Sequence, residues 1–244
     1  GIAGVTKDGF QPVTLGTAND YSGGTIINQG AIYLGADSAL GTGPATLTTL
    51  GVLASDSTTT RTLPNIIVQA ADLGPILGDT VNSGTLILAG GLDLGGGASR
   101  TLNFNSDVVI SGALTNGGFS TKTGPGALII KGNATDNSLA SQQQGDVIID
   151  GGALTCIDGW RVQNTLFSST LRLAVTNGGV LNISAGYNTG NLRIGLTGGD
   201  NSADNILDLA GTLNLTPTNA AVNLDGATGR LVQIIGAVVD VEFE

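Results

Sequence analysis

The sequence feature that most restricts the fold of this chain is a short unit that recurs at glycine residues. The unit is Gly, a small or β-branched residue, an aliphatic residue, and often a second aliphatic residue two positions later. It occurs at Gly30, Gly51, Gly84, Gly112, Gly126, Gly152, Gly179 and Gly211. The intervals between copies range from 14 to 33 residues. Self-similarity of this kind is typical of proteins built from stacked structural repeats.

A longer segment also occurs twice. The stretch TKDGFQPVTLG from Thr6 is similar to TKTGPGALIIKG from Thr121. Further along, IINQGAI from Ile26 is similar to IIDGGAL from Ile148. Both copies contain a Thr-Lys pair, a Gly turn, a strand, a polar loop, and then strand, Gly turn and strand. The sequence therefore predicts one order of parts, used twice.

The composition predicts strands rather than helices. Gly occupies 40 of the 244 positions, and 41% of the residues are hydrophobic. Only 11% are charged, against about a quarter in ordinary globular domains. Val, Ile, Leu and Thr dominate, and these residues favour strands. No window keeps a glycine-free apolar stripe at helical spacing for three turns. We therefore expect an all-β chain with many turns and few ion pairs.

Short apolar strands such as Leu128–Ile130 are unstable alone and need stacked neighbours. The sequence therefore predicts a right-handed parallel β-helix, a β-solenoid, with about ten irregular coils of about 24 residues and a length of roughly 50 Å. A β-sandwich or jelly roll is the alternative fold. Sandwich cores usually depend on aromatic residues, which make up only 4% of this chain. The solenoid is the better prediction.

Two segments carry a resemblance to a known family. They are ANDYSGGTIINQGAIYLGADSALGTG, residues 18–43, and TKTGPGALIIKGNATDN, residues 121–137, which is followed by GDVIIDGGAL. Both resemble the autotransporter-associated β-strand repeat of large bacterial surface and secreted proteins. The resemblance implies a β-helical passenger outside the cell or on its surface, and it supplies no catalytic residues. No translocating β-barrel follows, so we expect the chain to be less than a complete autotransporter.

The last segment has a different character. GRLVQIIGAVVDVEFE, residues 229–244, resembles the N-terminal strand of the ATP synthase β subunit, but it contains none of the nucleotide chemistry, so no ATPase activity is inferred. We divide the chain into a solenoid at 1–228 and a terminal strand at 229–244. This strand is expected to cap the last coil or to pair with a neighbouring subunit. The residues proposed for assembly are Leu231, Ile234, Val239, Val241 and Phe243.

The net charge restricts the partners. Nine basic and nineteen acidic residues give a net charge of −10. This charge argues against nucleic acid, which binds through cationic side chains, and against anionic membrane surfaces. The apolar run at 231–239 is too short to insert into a bilayer. We expect the partner to be a second copy of the chain, or a host or matrix surface.

Thiol and phosphate chemistry are both poorly supported. Cys156 is the only cysteine and the chain has no histidine. We therefore expect Cys156 to be a buried apolar residue rather than a nucleophile. The stretch GGFSTKTG places Lys122 and Thr123 as in a phosphate-binding loop, but Thr121 stands where that motif needs glycine. No cofactor is predicted.

A calcium site is a further hypothesis. The stretch GGDNSADNILDL is similar to calcium-binding turns between coils, with Asp200 and Asp204 as candidate ligands. However, Asn201 replaces a glycine and the stretch occurs once. A solvated Asn/Asp corner is the alternative interpretation.

Parallel β-helices also include enzymes that act on polysaccharides, which need paired carboxylates. The carboxylates considered are Asp93, Asp107, Asp146, Asp150 and Asp158. They are scattered at turns without a basic cluster, so we do not expect an enzyme. Trp160 beside Arg161 is the candidate for non-catalytic sugar binding, since aromatic rings provide sugar platforms. Loop packing is the alternative role of Trp160.

Three functional hypotheses follow from the sequence. The first is a non-catalytic structural or adhesive β-solenoid segment of an extracellular bacterial surface protein. The second is a subunit that assembles into a fibre or layer through pairing of its terminal strand. The third is a module that binds or degrades polysaccharides.

Overall fold

The computed structural model describes residues 2–72, 75–96, 99–117, 119–136, 139–156, 160–162, 171–184, 192–195, 206–216 and 222–225. These residues form strands and turns, and they contain no helix. The strands are β1 Val5–Lys7, β2 Val13–Leu15, β3 Thr25–Leu34, β4 Ala45–Ser55, β5 Arg61–Leu63, β6 Ile67–Gln69, β7 Ile76–Leu77, β8 Leu86–Leu88, β9 Leu92–Asp93, β10 Ser99–Phe104, β11 Val108–Ile110, β12 Leu114–Gly117, β13 Phe119–Thr123, β14 Leu128–Ile130, β15 Asn133–Asp136, β16 Leu139–Gln142, β17 Val147–Asp150, β18 Ala153–Cys156, β19 Trp160–Val162, β20 Arg172–Thr176, β21 Val180–Ser184, β22 Leu192–Gly195, β23 Ile206–Leu209, β24 Thr212–Thr216 and β25 Val222–Asp225.

All described pairings are parallel and join one coil to the next, which confirms the predicted β-solenoid. The strands form three ladders, here called faces. Face 1 contains β1, β6, β9, β12, β15, β18, β21, β24 and the first halves of β3 and β4. Face 2 contains β2, β7, β10, β13, β16, β19, β22, β25 and the second halves of β3 and β4. Face 3 contains β5, β8, β11, β14, β17, β20 and β23.

The number of coils differs slightly from the prediction of about ten. Face 3 contains seven strands, so the described residues include about seven complete three-sided turns. Other coils have described strands on faces 1 and 2 only. The first of them is coil 1, which we define as β1 and β2. Register partners in neighbouring coils are between 19 and 34 residues apart, as in the pairs Leu128–Val147 and Arg172–Ile206.

The recurring glycine unit marks the start of a strand, and it does so on any face. Gly84 precedes β8 on face 3, Gly112 precedes β12 on face 1, and Gly30 precedes the face 2 half of β3. Two successive copies of the unit can lie on the same face or on different faces, so the number of residues between them is not one fixed coil length. This arrangement explains why the intervals in the sequence are irregular.

The longer echo in the sequence does not occupy equivalent faces. Thr6 lies in β1 on face 1, whereas Thr121 lies in β13 on face 2. Ile26 lies on face 1, and Ile148 lies on face 3. The similarity therefore reflects a shared strand–turn–strand unit that can be placed on different sides of the solenoid.

Alternate residues of each strand fill the interior. On face 3, one inward column consists of Leu86, Val108, Leu128, Val147 and Leu173, all completely buried. Like residues stack on like residues because neighbouring coils are only about 4.8 Å apart. Cys156 is buried on face 1, as predicted. The core is thus a continuous aliphatic column, which needs few aromatic rings.

The corners explain the high glycine content. Gly30 joins the two halves of β3 with a φ of +71°, a conformation that favours glycine. A Cβ atom at Gly30 would also lie 2.6 Å from the carbonyl oxygen of Gly9 in coil 1. The closeness of stacked coils thus excludes side chains at this corner.

We expect Ile130→Ala to lower the free energy of unfolding by about 2–5 kcal/mol, because it removes completely buried methyl groups. The matched control is Ile129→Ala in the same strand, whose side chain lies on the outer surface and is partly exposed. Its loss should be less than half as large. Urea denaturation followed by circular dichroism measures both changes. Equal losses would contradict the assigned orientation of β14.

Candidate functional site

Lys122 is the most unusual polar side chain in the described part of the chain. It lies on β13 and is completely buried. Its Nζ donates hydrogen bonds of 2.9 Å to the carbonyl oxygens of Thr123, Gly124 and Gln144. Gln144 belongs to the next coil, so this ammonium group joins two levels. The ring centroid of Phe104 lies 5.4 Å from Nζ, within reach of a cation–π interaction.

Burial has a clear electrostatic effect on this group. Desolvation lowers the pKa of Lys122 to about 7, while the nearby Asp146 and Asp107 carboxylates act in the opposite direction. All three ammonium hydrogens have backbone acceptors inside the protein. The lysine considered above for a phosphate loop therefore points into the solenoid and binds the protein's own backbone.

Lys7 forms the same arrangement at another corner. Its Nζ donates to the carbonyl oxygens of Asp8 at 3.0 Å, Gly9 at 2.5 Å and Gln29 at 2.9 Å. In both cases the acceptor in the next coil belongs to a Gln-Gly pair 22 residues after the lysine. The spacing of each lysine and its Gln-Gly pair is visible in the sequence and is the signal that could have identified both corners.

Buried amides complete other corners. The Nδ2 of Asn65 donates to the carbonyl oxygens of Gly41 at 3.1 Å and Gly43 at 2.6 Å. The Nε2 of Gln142 donates to those of Gly145 at 2.8 Å and Arg172 at 3.0 Å. Buried side-chain donors in the described interior therefore bind backbone carbonyl groups that have no hydrogen-bond donor in the ladders.

The carboxylates proposed for polysaccharide chemistry are used at corners. Asp107 Oδ1 accepts a 2.9 Å hydrogen bond from the amide of Ala127. Asp146 Oδ1 accepts one of 3.1 Å from the amide of Arg172. Asp93 Oδ1 accepts hydrogen bonds of 2.8 Å from the amide of Gly95 and 2.9 Å from Asn116 Nδ2.

Asp150 is held in its ionised form. Hydrogen bonds from Asn177 and Lys131 hold its pKa below the usual range of a carboxyl group. The Lys131 ammonium lies 3.1 Å from its Oδ2. A general acid at neutral pH needs a raised pKa, which is the opposite shift. Within the described residues, no three His, Cys, Asp or Glu side chains form a group that could hold a metal ion.

The predicted sugar-binding residues lie on face 2. The backbones of Trp160 and Arg161 belong to β19, and the structure describes no side-chain positions for them. By register, Arg161 stands between Ser141 in the preceding coil and Arg193 in the following one. Two arginines thus occupy neighbouring rungs of one ladder.

The remaining predicted site residues lie outside the described residues. They are the calcium candidates Asp200 and Asp204, the carboxylate Asp158, and the assembly residues Leu231, Ile234, Val239, Val241 and Phe243.

Coil 1 presents an open edge. Its strands β1 and β2 pair with β3, and no other described strand lies against them. The side chains around this edge are unusually apolar for a surface: Ile2 is 92% exposed, Phe10 72% and Val13 44%. An uncovered strand edge with apolar residues is a site where another strand can add.

One small cavity lies in the interior near Phe104. Its volume is about 10 Å³, and it is bounded also by Leu47, Leu77 and Gln69. This volume is about that of one water molecule. It is not large enough for a sugar.

Comparison with known proteins does not identify this chain: no protein-family model, curated protein or solved structure matches it. Among the described residues, no helix has the length and apolar character that crossing a membrane requires.

We expect Lys122 to make stability depend on pH. Its folded pKa of about 7 lies below the ordinary value of 10.5, so the folded state binds fewer protons between these values. Relative to Lys122→Met, the wild-type free energy of unfolding should therefore rise with pH, by up to about 1.4 kcal/mol per unit between pH 7 and 10.5. Below pH 7 the difference should be constant.

Denaturation midpoints at a series of pH values measure this difference. Lys131→Met is the matched control, because the Lys131 side chain is 52% exposed. A pH profile for Lys122→Met that runs parallel to the wild-type profile would contradict the expected protonation change.

Proposed function

We propose that this chain is a non-catalytic structural segment of an extracellular bacterial surface protein, where it spaces or displays other parts as a stiff rod. The observation that carries the proposal is the use of the buried polar groups. Lys7, Lys122 and Asn65 donate to the backbone of their own solenoid. These groups stabilise the rod and are not available to a ligand.

The surface carboxylates support a non-catalytic role. Asp107 and Asp146 bind backbone amides of neighbouring coils, and Asp150 is stabilised as an anion. Each carboxylate therefore has a structural partner. A hydrolase or lyase would instead need two carboxylates, or a carboxylate and a base, directed at one sugar bond.

The proposed location depends on the resemblance of residues 18–43 and 121–137 to the autotransporter-associated repeat. The composition agrees with it. A parallel solenoid derives its stability from continuous backbone ladders and an aliphatic interior, which resist local unfolding. Such a rod suits a protein that is exposed to proteases outside the cell.

Binding of an acidic polysaccharide is a second candidate function. Arg161 and Arg193 are register partners on face 2, and like charges on neighbouring strands destabilise a sheet. A carboxylate or sulfate group on a sugar would offset this repulsion. Trp160 is in register with Leu192, and successive strand residues alternate sides, so the two arginines carry this candidate. Adhesion by the rod would then have a chemical basis.

We expect native trypsin digestion to spare the peptide bonds after Lys7, Arg100 and Lys122, because these residues are buried and lie in the ladders. Cleavage after Arg100 or Lys122 requires local unfolding of several coils, and cleavage after Lys7 requires coil 1 to separate from β3. Mass spectrometry of timed digests identifies the cut sites. Digestion in urea is the control and should cut all three bonds. Rapid native cleavage at these bonds would rule out a stiff, protease-resistant rod.

The polysaccharide hypothesis predicts a signal on arrays of acidic glycans that decreases at least tenfold in both Arg161→Ala and Arg193→Ala. Arg61→Ala is the matched control, because Arg61 pairs with Asp56 at 2.8 Å on another face. Its binding should equal that of the wild type. A signal that neither Arg161→Ala nor Arg193→Ala reduces would exclude this site.

A further inference from the structure

We propose that the edge of coil 1 accepts residues 229–244 of a second copy as an added parallel strand, so that copies of the chain join head to tail. This inference rests on the self-assembly hypothesis and names the acceptor edge that self-assembly requires. Four observations support it, and they concern the backbone, the glycines, the apolar side chains and the sequence of the donor segment.

The backbone of coil 1 has hydrogen-bonding groups directed away from β3. The amide of Val5 donates to the carbonyl oxygen of Gly24, and the carbonyl oxygen of Leu15 accepts from Gly35, both at 2.9 Å. Successive residues of a strand direct their N–H and C=O groups to opposite sides. The groups of Thr6 and Thr14 are therefore directed at the outer side of coil 1, where a further parallel strand would bind them.

One glycine of coil 1, Gly16, matches the requirement of an interior level. In coil 2, which is β3 and the corner after it, a Cβ atom at Gly35 would lie 2.7 Å from the Cα of Gly16, so the stacked backbone excludes a side chain there. A Cβ atom at Gly16 would have no atom of the described chain within 4 Å, and the φ of Gly16 is outside the left-handed region. Among the described residues, neither sterics nor conformation requires glycine at position 16.

The other corner of coil 1 shows the same closeness of stacked backbones. Gly30 lies against the carbonyl oxygens of Gly9 and Phe10, at 2.6 and 2.8 Å from its Cβ position. Gly9 has no described atom within 4 Å of its own Cβ position, but its φ of +77° favours glycine without any covering strand. The glycine argument therefore depends on Gly16. A further backbone placed on coil 1 would make glycine necessary at Gly16, as at Gly35.

The apolar side chains of coil 1 complete the acceptor. Val13 and Leu15 share one side of β2, where Leu15 packs against the core. Val13 is 44% exposed, and Phe10 at the neighbouring corner is 72% exposed. A covering strand with apolar residues at alternate positions would extend the interior columns over them.

The donor segment has the layout that such a cover needs. At this end of the solenoid, β3 and β4 each run from face 1 to face 2 through a glycine, with the sequences TIINQ-G-AIYL and TLTTL-G-VLAS. The C-terminal segment has the sequence LVQII-G-AVVD around Gly236. It likewise has five residues before a glycine and an apolar stretch after it.

The position of the donor in the chain favours an intermolecular contact. The last described strand, β25, ends at Asp225 on the opposite end of the solenoid from coil 1. The segment that follows thus starts beside the next copy when two copies stack end to end. Since donor and acceptor are different surfaces, the interface is heterologous and does not close, and it generates a filament.

The test is sedimentation velocity of the full chain from micromolar to millimolar concentrations, with electron microscopy of the same samples. The wild type should form species of increasing mass and filaments about one solenoid wide. Gly16→Ala should be monomeric at all these concentrations, because its Cβ would collide with the incoming backbone. Its denaturation midpoint should equal that of the wild type, since the substitution fills open space.

Substitutions on both sides of the contact make the test specific. Val13→Lys on the acceptor and Val241→Lys on the donor should each abolish filaments. Val81→Lys is the matched control, because Val81 is 80% exposed and lies in another corner. It should assemble as the wild type does.

Mixing experiments test the head-to-tail polarity. Gly16→Ala retains a donor and Val241→Lys retains an acceptor, so an equimolar mixture should form dimers and nothing larger. If filaments persist in both Gly16→Ala and Val241→Lys, the proposed junction is wrong and the chain assembles through another contact. A wild type that stays monomeric would overturn both. A dimer that needs Val13 but not Val241 would replace the proposed junction with pairing of two coil 1 edges.

Discussion

Backbone hydrogen bonds between coils hold this molecule together, and the rest of the structure adapts to them. Each strand is two to six residues long on any one face and is bonded to strands 19 to 34 residues away in sequence. Such short strands gain stability only when the whole stack forms. Two requirements follow: side chains must stack in columns at the spacing of the coils, and the corners must let two backbones approach closely.

The corners are where these requirements conflict. A bend interrupts the ladder and leaves carbonyl groups without partners inside a water-poor interior, which is costly. At two corners a lysine resolves this conflict. The ammonium groups of Lys7 and Lys122 each donate hydrogen bonds to three backbone carbonyl groups. A buried cation is itself unfavourable, and the lowered pKa of Lys122 expresses that cost. The backbone acceptors and the nearby Asp146 and Asp107 carboxylates offset part of this cost, and the ammonium group in turn satisfies carbonyl groups of the bend.

The sequence was sufficient to predict the fold class, because the glycine unit and the scarcity of aromatic residues both point to stacked short strands. It did not predict which face a strand occupies. Thr6 and Thr121 have similar neighbours but lie on different faces, since the face depends on the cumulative length of the preceding corners. The roles of Lys7 and Lys122 were also missed, because a lysine beside glycines more commonly indicates a surface loop.

The buried lysine has a consequence for how the coils find their alignment. In the column of face 2, Lys122 stands between Leu102 and Gln142. Most other columns consist of interchangeable aliphatic residues, so a chain displaced by one coil would lose little packing there. Such a displacement would separate the Lys122 ammonium from the carbonyl group of Gln144 in the next coil, whereas the carbonyl groups of Thr123 and Gly124 would move with it. One polar residue can therefore act against misalignment in a repetitive chain, and folding errors should be rarest around coils that contain one.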